Sequence, residues 1–105
     1  MNTHESSHPS LLDVDRLIHE PSRSVILAVL SSVEKADFIY LQRETGLTKG
    51  NLTVHLSKLE AAGYIKIEKT YRGKLPLTLC SLTEDGSRAF DNYRKQLRQF
   101  AGGNY

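Results

Sequence analysis

Apolar side chains in this chain follow two different periods, and the switch between them divides it. Up to Leu59 they recur three and four positions apart, the spacing of one helical face. From Tyr64 to Leu82 they alternate, the spacing of one strand face, and after Thr83 the helical period returns. Residues 1–10, MNTHESSHPS, are polar and aperiodic, which predicts a disordered tail. Leu11, Val14, Leu17 and Ile18 share a face and predict a short helix over residues 11–19. Glu20-Pro21-Ser22 interrupts it, and Pro21 or Ser22 can open the next helix. That helix, about residues 22–32, carries Val25, Ile26, Val29 and Leu30, with Ala28 as a small contact, and is expected at the centre of the core. Residues 34–38 are too short for a helix and predict a one-bridge strand.

A third helix is expected over residues 39–45, with Ile39 or Tyr40 and Leu41 inward, Gly46 as a left-handed stop and Leu47 plugging the following turn. The fourth is marked at both ends, by Thr48 as N-cap and Gly63 beyond its last turn, and Leu52, Leu56 and Leu59 line one face. A strand then puts Ile65 and Ile67 on one face and Lys66 and Glu68 on the other. After the turn Tyr71-Arg72-Gly73-Lys74 the chain returns as a second strand over residues 75–82. Both faces of that strand are partly apolar, Thr78, Cys80 and Leu82 on one and Leu77 and Leu79 on the other; Leu82, beside a helix start, favours its own for the core. Pro76 predicts a strand at the edge of the sheet. Thr83 caps a last helix, Glu84 and Asp85 complement its dipole, and Ala89 or Phe90, Tyr93, Leu97 and Phe100 form its stripe up to Gly102-Gly103. The expected fold is mainly α with a small β hairpin (α+β), in the order α-α-(β)-α-α-β-β-α, as one domain over residues 11–101.

Size and charge narrow the function. A chain of 105 residues supports one modest core. No apolar run is long enough for a membrane span, and the N-terminus lacks a signal-like core, so an intracellular, cytoplasmic protein is expected. One cysteine, Cys80, excludes an internal disulfide and multi-cysteine metal sites, and reads as a core thiol. His4 and His8 are four apart, but Pro9 and the missing third ligand make them a solvated pair; no metal or cofactor site is expected. The net charge of +2 is unevenly placed: residues 42–74 hold seven cations against three carboxylates, whereas residues 1–41 hold three against six. The positive excess sits on the fourth helix and the hairpin, where a polyanion is the natural partner.

With 100° of rotation per residue and the Leu52–Leu56–Leu59 face inward, Gly50, Val54, Ser57 and Ala61 point outward, flanked by Asn51, Thr53 and Lys58. Thr48 and Lys49 stand at the N-terminal end. This is the layout of a helix held on a core by one side with its other side in a groove of DNA. Asn51 can pair with an adenine edge, Val54 can meet a thymine methyl, and Thr48, Lys49, Thr53, Ser57 and Lys58 can reach phosphates or bases. Gly50 keeps the surface low for close approach. The plainer alternative, a solvated amphipathic helix, leaves to chance the absence of carboxylates between Thr48 and Lys58. His55 falls between core and surface, as a packing residue or phosphate donor. The hairpin tip offers a second contact through Lys69, Tyr71, Arg72 and Lys74, with Lys66 able to add to it. No phosphate loop, nucleophile–base pair or facing carboxylates suggest an enzyme.

At these residues the chain resembles winged helix-turn-helix transcriptional regulators, close to the MarR-like and ArsR-like groups. The segment from Thr48 to Ile65, TKGNLTVHLSKLEAAGYI, is similar to the family's recognition helix running into its first wing strand. Tyr71-Arg72-Gly73-Lys74 stands where the wing tip belongs, and Leu82-Thr83-Glu84-Asp85-Gly86 is similar to the motif opening the helix after the wing. The resemblance covers about residues 21–100. It implies a homodimer on a roughly two-fold operator, with one recognition helix per half-site. It does not extend to metal sensing, because residues 38–45 lack the cysteines of that branch, nor does it supply a small-molecule effector.

The last helix, about residues 83–101, runs beyond what a small core can cover. Tyr93, Leu97 and Phe100, joined by Leu11, Val14 and Leu17, are therefore expected to meet a second copy. Two rivals stay open at this point: a winged-helix module for protein–protein contact, and non-specific architectural DNA binding. The basic, compact outer face of the fourth helix favours sequence-specific binding of double-stranded DNA.

Overall fold

The computed structural model describes residues 13–102. In chain order its elements are α1 (Pro21–Leu30), β1 (Ala36–Asp37), α2 (Phe38–Thr45), α3 (Lys49–Ala61), β2 (Ile65–Arg72), β3 (Leu75–Leu82) and α4 (Glu84–Phe100). Three helices and a small sheet enclose Ile18, Ile26, Leu27, Leu30, Leu41, Leu52, Leu56, Leu59, Ile65 and Cys80, and α4 closes this core with Phe90 and Tyr93. The expected tail with its His4–His8 pair, and Leu11, lie outside the described residues.

Side chains at the helix starts explain the boundaries. Glu20 accepts the N–H of Arg23 and Pro21 occupies the first turn of α1, where its missing N–H costs nothing. Asp37 does the same for Tyr40 at α2, Thr48 for Asn51 at α3, and Thr83 for Gly86 at α4. Gly46 and Gly63 take φ of +73° and +81°, values that stop α2 and turn the chain out of α3.

The expected first helix does not run through the described part of residues 11–19. Asp13 lies in a 3₁₀ turn and residues 14–20 form bends and turns, in which Asp15 Oδ1 accepts the N–H groups of Leu17 and Ile18. A segment this short gains too few helical bonds to offset nucleation, and a side-chain acceptor competes with the backbone. Val14 and Ile18 are buried even so, so the apolar spacing was sound while the inferred helix was not. In α1 the buried face is Ile26, Leu27 and Leu30; Val25 and Ala28 point outward, a rotation of the expected face. In α2 Tyr40 and Leu41 turn inward and Ile39 is 68% exposed.

The sheet order is β1-β3-β2, all antiparallel, so β3 is the central strand and not the edge that Pro76 predicted. The conflict resolves along its length. β1 pairs only with Leu79 and Cys80, and Pro76 lies beyond it, where no third strand needs its N–H. Cys80 and Leu82 supply the core face of β3, as the position of Leu82 suggested. Burial, and then the charge of Glu60, push the Cys80 thiol up to about 11, which leaves it a packing group and not a nucleophile.

Candidate nucleic-acid interface

The helix pair is built by α2, the Gly46–Leu47 turn and α3. Leu52, Leu56 and Leu59 anchor α3, each at most 3% exposed, and this fixes the rotation of the whole helix. Thr48, Lys49, Gly50, Asn51, Thr53, Val54, Ser57 and Lys58 are all exposed on its remaining surface, with no acidic side chain among them. Nothing stands within 4 Å of a Cβ built on Gly50. The Thr48 oxygen accepts the Asn51 N–H at 3.2 Å and Thr53 Oγ1 donates to Lys49 O at 2.8 Å, so both hydroxyls are oriented before any ligand arrives. Val54, 51% exposed, is the apolar point on this polar surface.

His55 faces the flank where α3 meets α1. Arg23 Nη1 lies 3.1 Å from His55 Nδ1, and its Nε donates to Leu17 O at 2.5 Å. A guanidinium only donates, so Nδ1 accepts and the ring proton sits on Nε2. Glu20 stands 4.0 Å from the same guanidinium. Arg23 therefore ties α3 to the start of α1, a role invisible in a sequence where it lies 32 positions from His55 on another helix. Its signal in the chain was only a charge two positions after a proline.

The hairpin of β2 and β3 is the second part. Ile65 to Arg72 pairs in register with Leu82 to Leu75, and Gly73, at φ +63°, closes a two-residue turn. Every residue from Lys69 to Pro76 is exposed, including the candidate contacts Lys69, Tyr71, Arg72 and Lys74. At the base of the hairpin Lys35 reaches Glu68 at 3.0 Å and holds its carboxyl below the usual range. That pairing engages the one carboxylate of β2 and leaves the outer half of the strand, from Lys69 to Arg72, without an acid.

Residues 23–101 match a family described as a winged helix DNA-binding domain. The chain belongs to this family. The fold is a winged helix: β2 and β3 are the wing, and α3 is the second helix of the helix-turn-helix. An uncharacterised protein of Methanocaldococcus jannaschii is 34% identical over 86 residues, 82% of this chain and 94% of that protein. A transcriptional regulator homologue of Pyrococcus horikoshii OT3 superposes with a TM-score of 0.79 at 28% identity, over 85% of this chain and 88% of its own. The repressor CouR, solved on a 23-mer DNA duplex, shares the fold at 16% identity and a TM-score of 0.69, over 83% of this chain and 61% of its own. The winged-helix family and the regulator homologue agree with the resemblance to winged helix-turn-helix regulators read from the sequence.

For this winged-helix regulator the surface expected to meet a second copy divides. Val14 and Tyr93 are buried in the chain's own core, at 5% and 6% exposure. Tyr93 also stacks on Phe90, and its hydroxyl meets His19 Nδ1 at 2.9 Å. Within one chain these two residues are therefore spent on its own core. Leu17 and Leu97 are half-buried against the core, and Phe100 is 53% exposed. No helix among the described residues is long and apolar enough to cross a membrane.

Proposed function

We propose that this winged-helix regulator binds specific double-stranded DNA sequences as a homodimer, with α3 in the major groove and the wing on the adjacent backbone or minor groove. The observation that carries the reading is the outer face of α3. Eight exposed residues, from Thr48 to Lys58, form a low surface with two lysines, an amide, hydroxyls and a single apolar point, and no carboxylate opposes a phosphate there. Asn51 and Val54 suit base edges, and Lys49 and Lys58 suit phosphates. CouR, a protein of the same fold, is solved on a DNA duplex, which supports DNA as the partner. In a two-fold pair the two copies of α3 enter successive major-groove faces about 34–36 Å apart.

Replacing Lys49 and Lys58 together with glutamate tests the reading. Both side chains are exposed, so the circular dichroism spectrum and unfolding midpoint are expected to stay as in the wild type. Binding to duplexes enriched from genomic DNA is expected to disappear in a fluorescence anisotropy titration. Wild-type affinity in the double variant overturns the proposal.

A further inference from the structure

The wing tip carries more apolar surface than a purely phosphate-binding turn needs. Tyr71 and Leu75 are each 70% exposed, and Pro76 beside them is exposed as well. Large exposed apolar groups at the end of a projecting arm mark a contact surface. The register separates them. Arg72 faces Leu75 across the hairpin, so these two share one side, while Tyr71 faces Pro76 on the other.

The backbone at Leu75 is also constrained. Pro76 restricts it to extended backbone, the two-residue turn pins its neighbour Lys74, and the Tyr71–Pro76 pair braces the opposite side. A backbone held this way needs no rearrangement on insertion. The surrounding charge selects the partner: Lys69, Arg72 and Lys74 frame the apolar tip, and no carboxylate occurs from residue 69 to residue 83. A protein partner is offered no acid to pair with its cations here, whereas a polyanion meets three positive groups around one apolar point.

We propose that Leu75 is a wedge that enters a base step from the minor groove of bound DNA, with Arg72 beside it in the groove, and that the protein thereby kinks its DNA. This rests on the DNA-binding reading above and adds a specific role for the tip. Leucine is among the side chains that unstack a step in this way, and pyrimidine–purine steps yield most readily. Each half-site is then expected to hold such a step where the wing falls, and its sequence contributes to specificity without hydrogen bonds to its bases.

The test uses a duplex of about three helical turns enriched from a random-sequence pool by the full-length wild-type chain, with a donor and an acceptor dye at its two ends. At saturating protein, wild type is expected to raise energy transfer between the ends and to make thymines at one step per half-site hyperreactive to permanganate. Leu75→Ala, at an exposed position, is expected to keep the unfolding midpoint and still bind, with loss of both signals; Leu75→Met is expected to retain them. Wild type that binds without either signal, or Leu75→Ala that still kinks the duplex, overturns the wedge and leaves the DNA reading standing. A tip that serves contact between copies gives straight DNA and a changed mass in Leu75→Ala, which also overturns it. Failure to enrich or bind any duplex overturns both.

Discussion

Tyr64 shows how much of this fold rests on single side chains that reach across the chain. Its hydroxyl donates to Asp15 Oδ2 at 2.5 Å, and that hydrogen bond, followed by burial and the nearby carboxylate charge, pushes the phenol up to about 12 from 10.0. The neutral phenol is the form the fold holds. The contribution of this contact is therefore full below pH 10 and disappears as pH rises through about 12. Tyr64→Phe is expected to lower stability by about 1 kcal/mol at pH 7. It should also lose less stability than the wild type between pH 10 and 12. Urea unfolding of both proteins across that range checks this, and parallel pH profiles refute it. Neither this bond nor the Arg23–His55 contact was legible in the sequence, because partners 49 and 32 positions apart leave no local pattern. The outer face of α3 was legible to the residue, since three buried leucines at spacings of four and three determine where all the others point.

Among the elements, α4 depends on one position at its start. A Cβ at Gly86 would stand 1.9 Å from the Tyr64 carbonyl oxygen, while Thr83 N–H donates to that same oxygen at 3.1 Å and Thr83 Oγ1 to Gly63 O at 2.6 Å. The N-terminus of α4 is thus clasped to the junction of α3 and β2, and backbone cannot give way as a flexible side chain does. Gly86→Ala is expected to cost about 1–3 kcal/mol. A thermal midpoint below that of the wild type is the measurement, and an unchanged midpoint refutes the close approach. The caps of α3 and α4, the turn at Gly73 and the two wing strands could all be read from the chain, because each depends on residues within a few positions. Two readings failed where neighbours intervened. Pro76 suggested an edge, yet β3 is central because β1 covers only its far end. The spacing of Leu11 to Ile18 suggested a helix, yet Asp15 spends its carboxylate on a turn over the described part.

For the whole molecule, the homodimer proposed above places α4 against a second copy. Burial of Val14 and Tyr93 leaves Leu97 and Phe100, with Leu17 near the start of the chain, as the apolar groups available at that end. Changing Leu97 and Phe100 together to glutamate is expected to shift the protein from dimer to monomer in sedimentation or light scattering. A mass that stays dimeric shows that another surface holds the pair. The same change is expected to weaken binding to a two-fold site more than to a single half-site, because the second α3 then arrives without its tether.

The sequence by itself determined the two periods, the helix caps, the basic stretch over residues 42–74 and hence the winged arrangement, since all of these follow from spacing, backbone conformation and formal charge. Only the tertiary structure decided which strand is central, which apolar residues remain exposed, and which distant polar groups lock α3 and α4 in place. The reason is physical. Helical and strand periodicity are properties of neighbours along the chain, whereas burial is shared between elements, and a leucine such as Leu75 is left in solvent where no other described element packs over it.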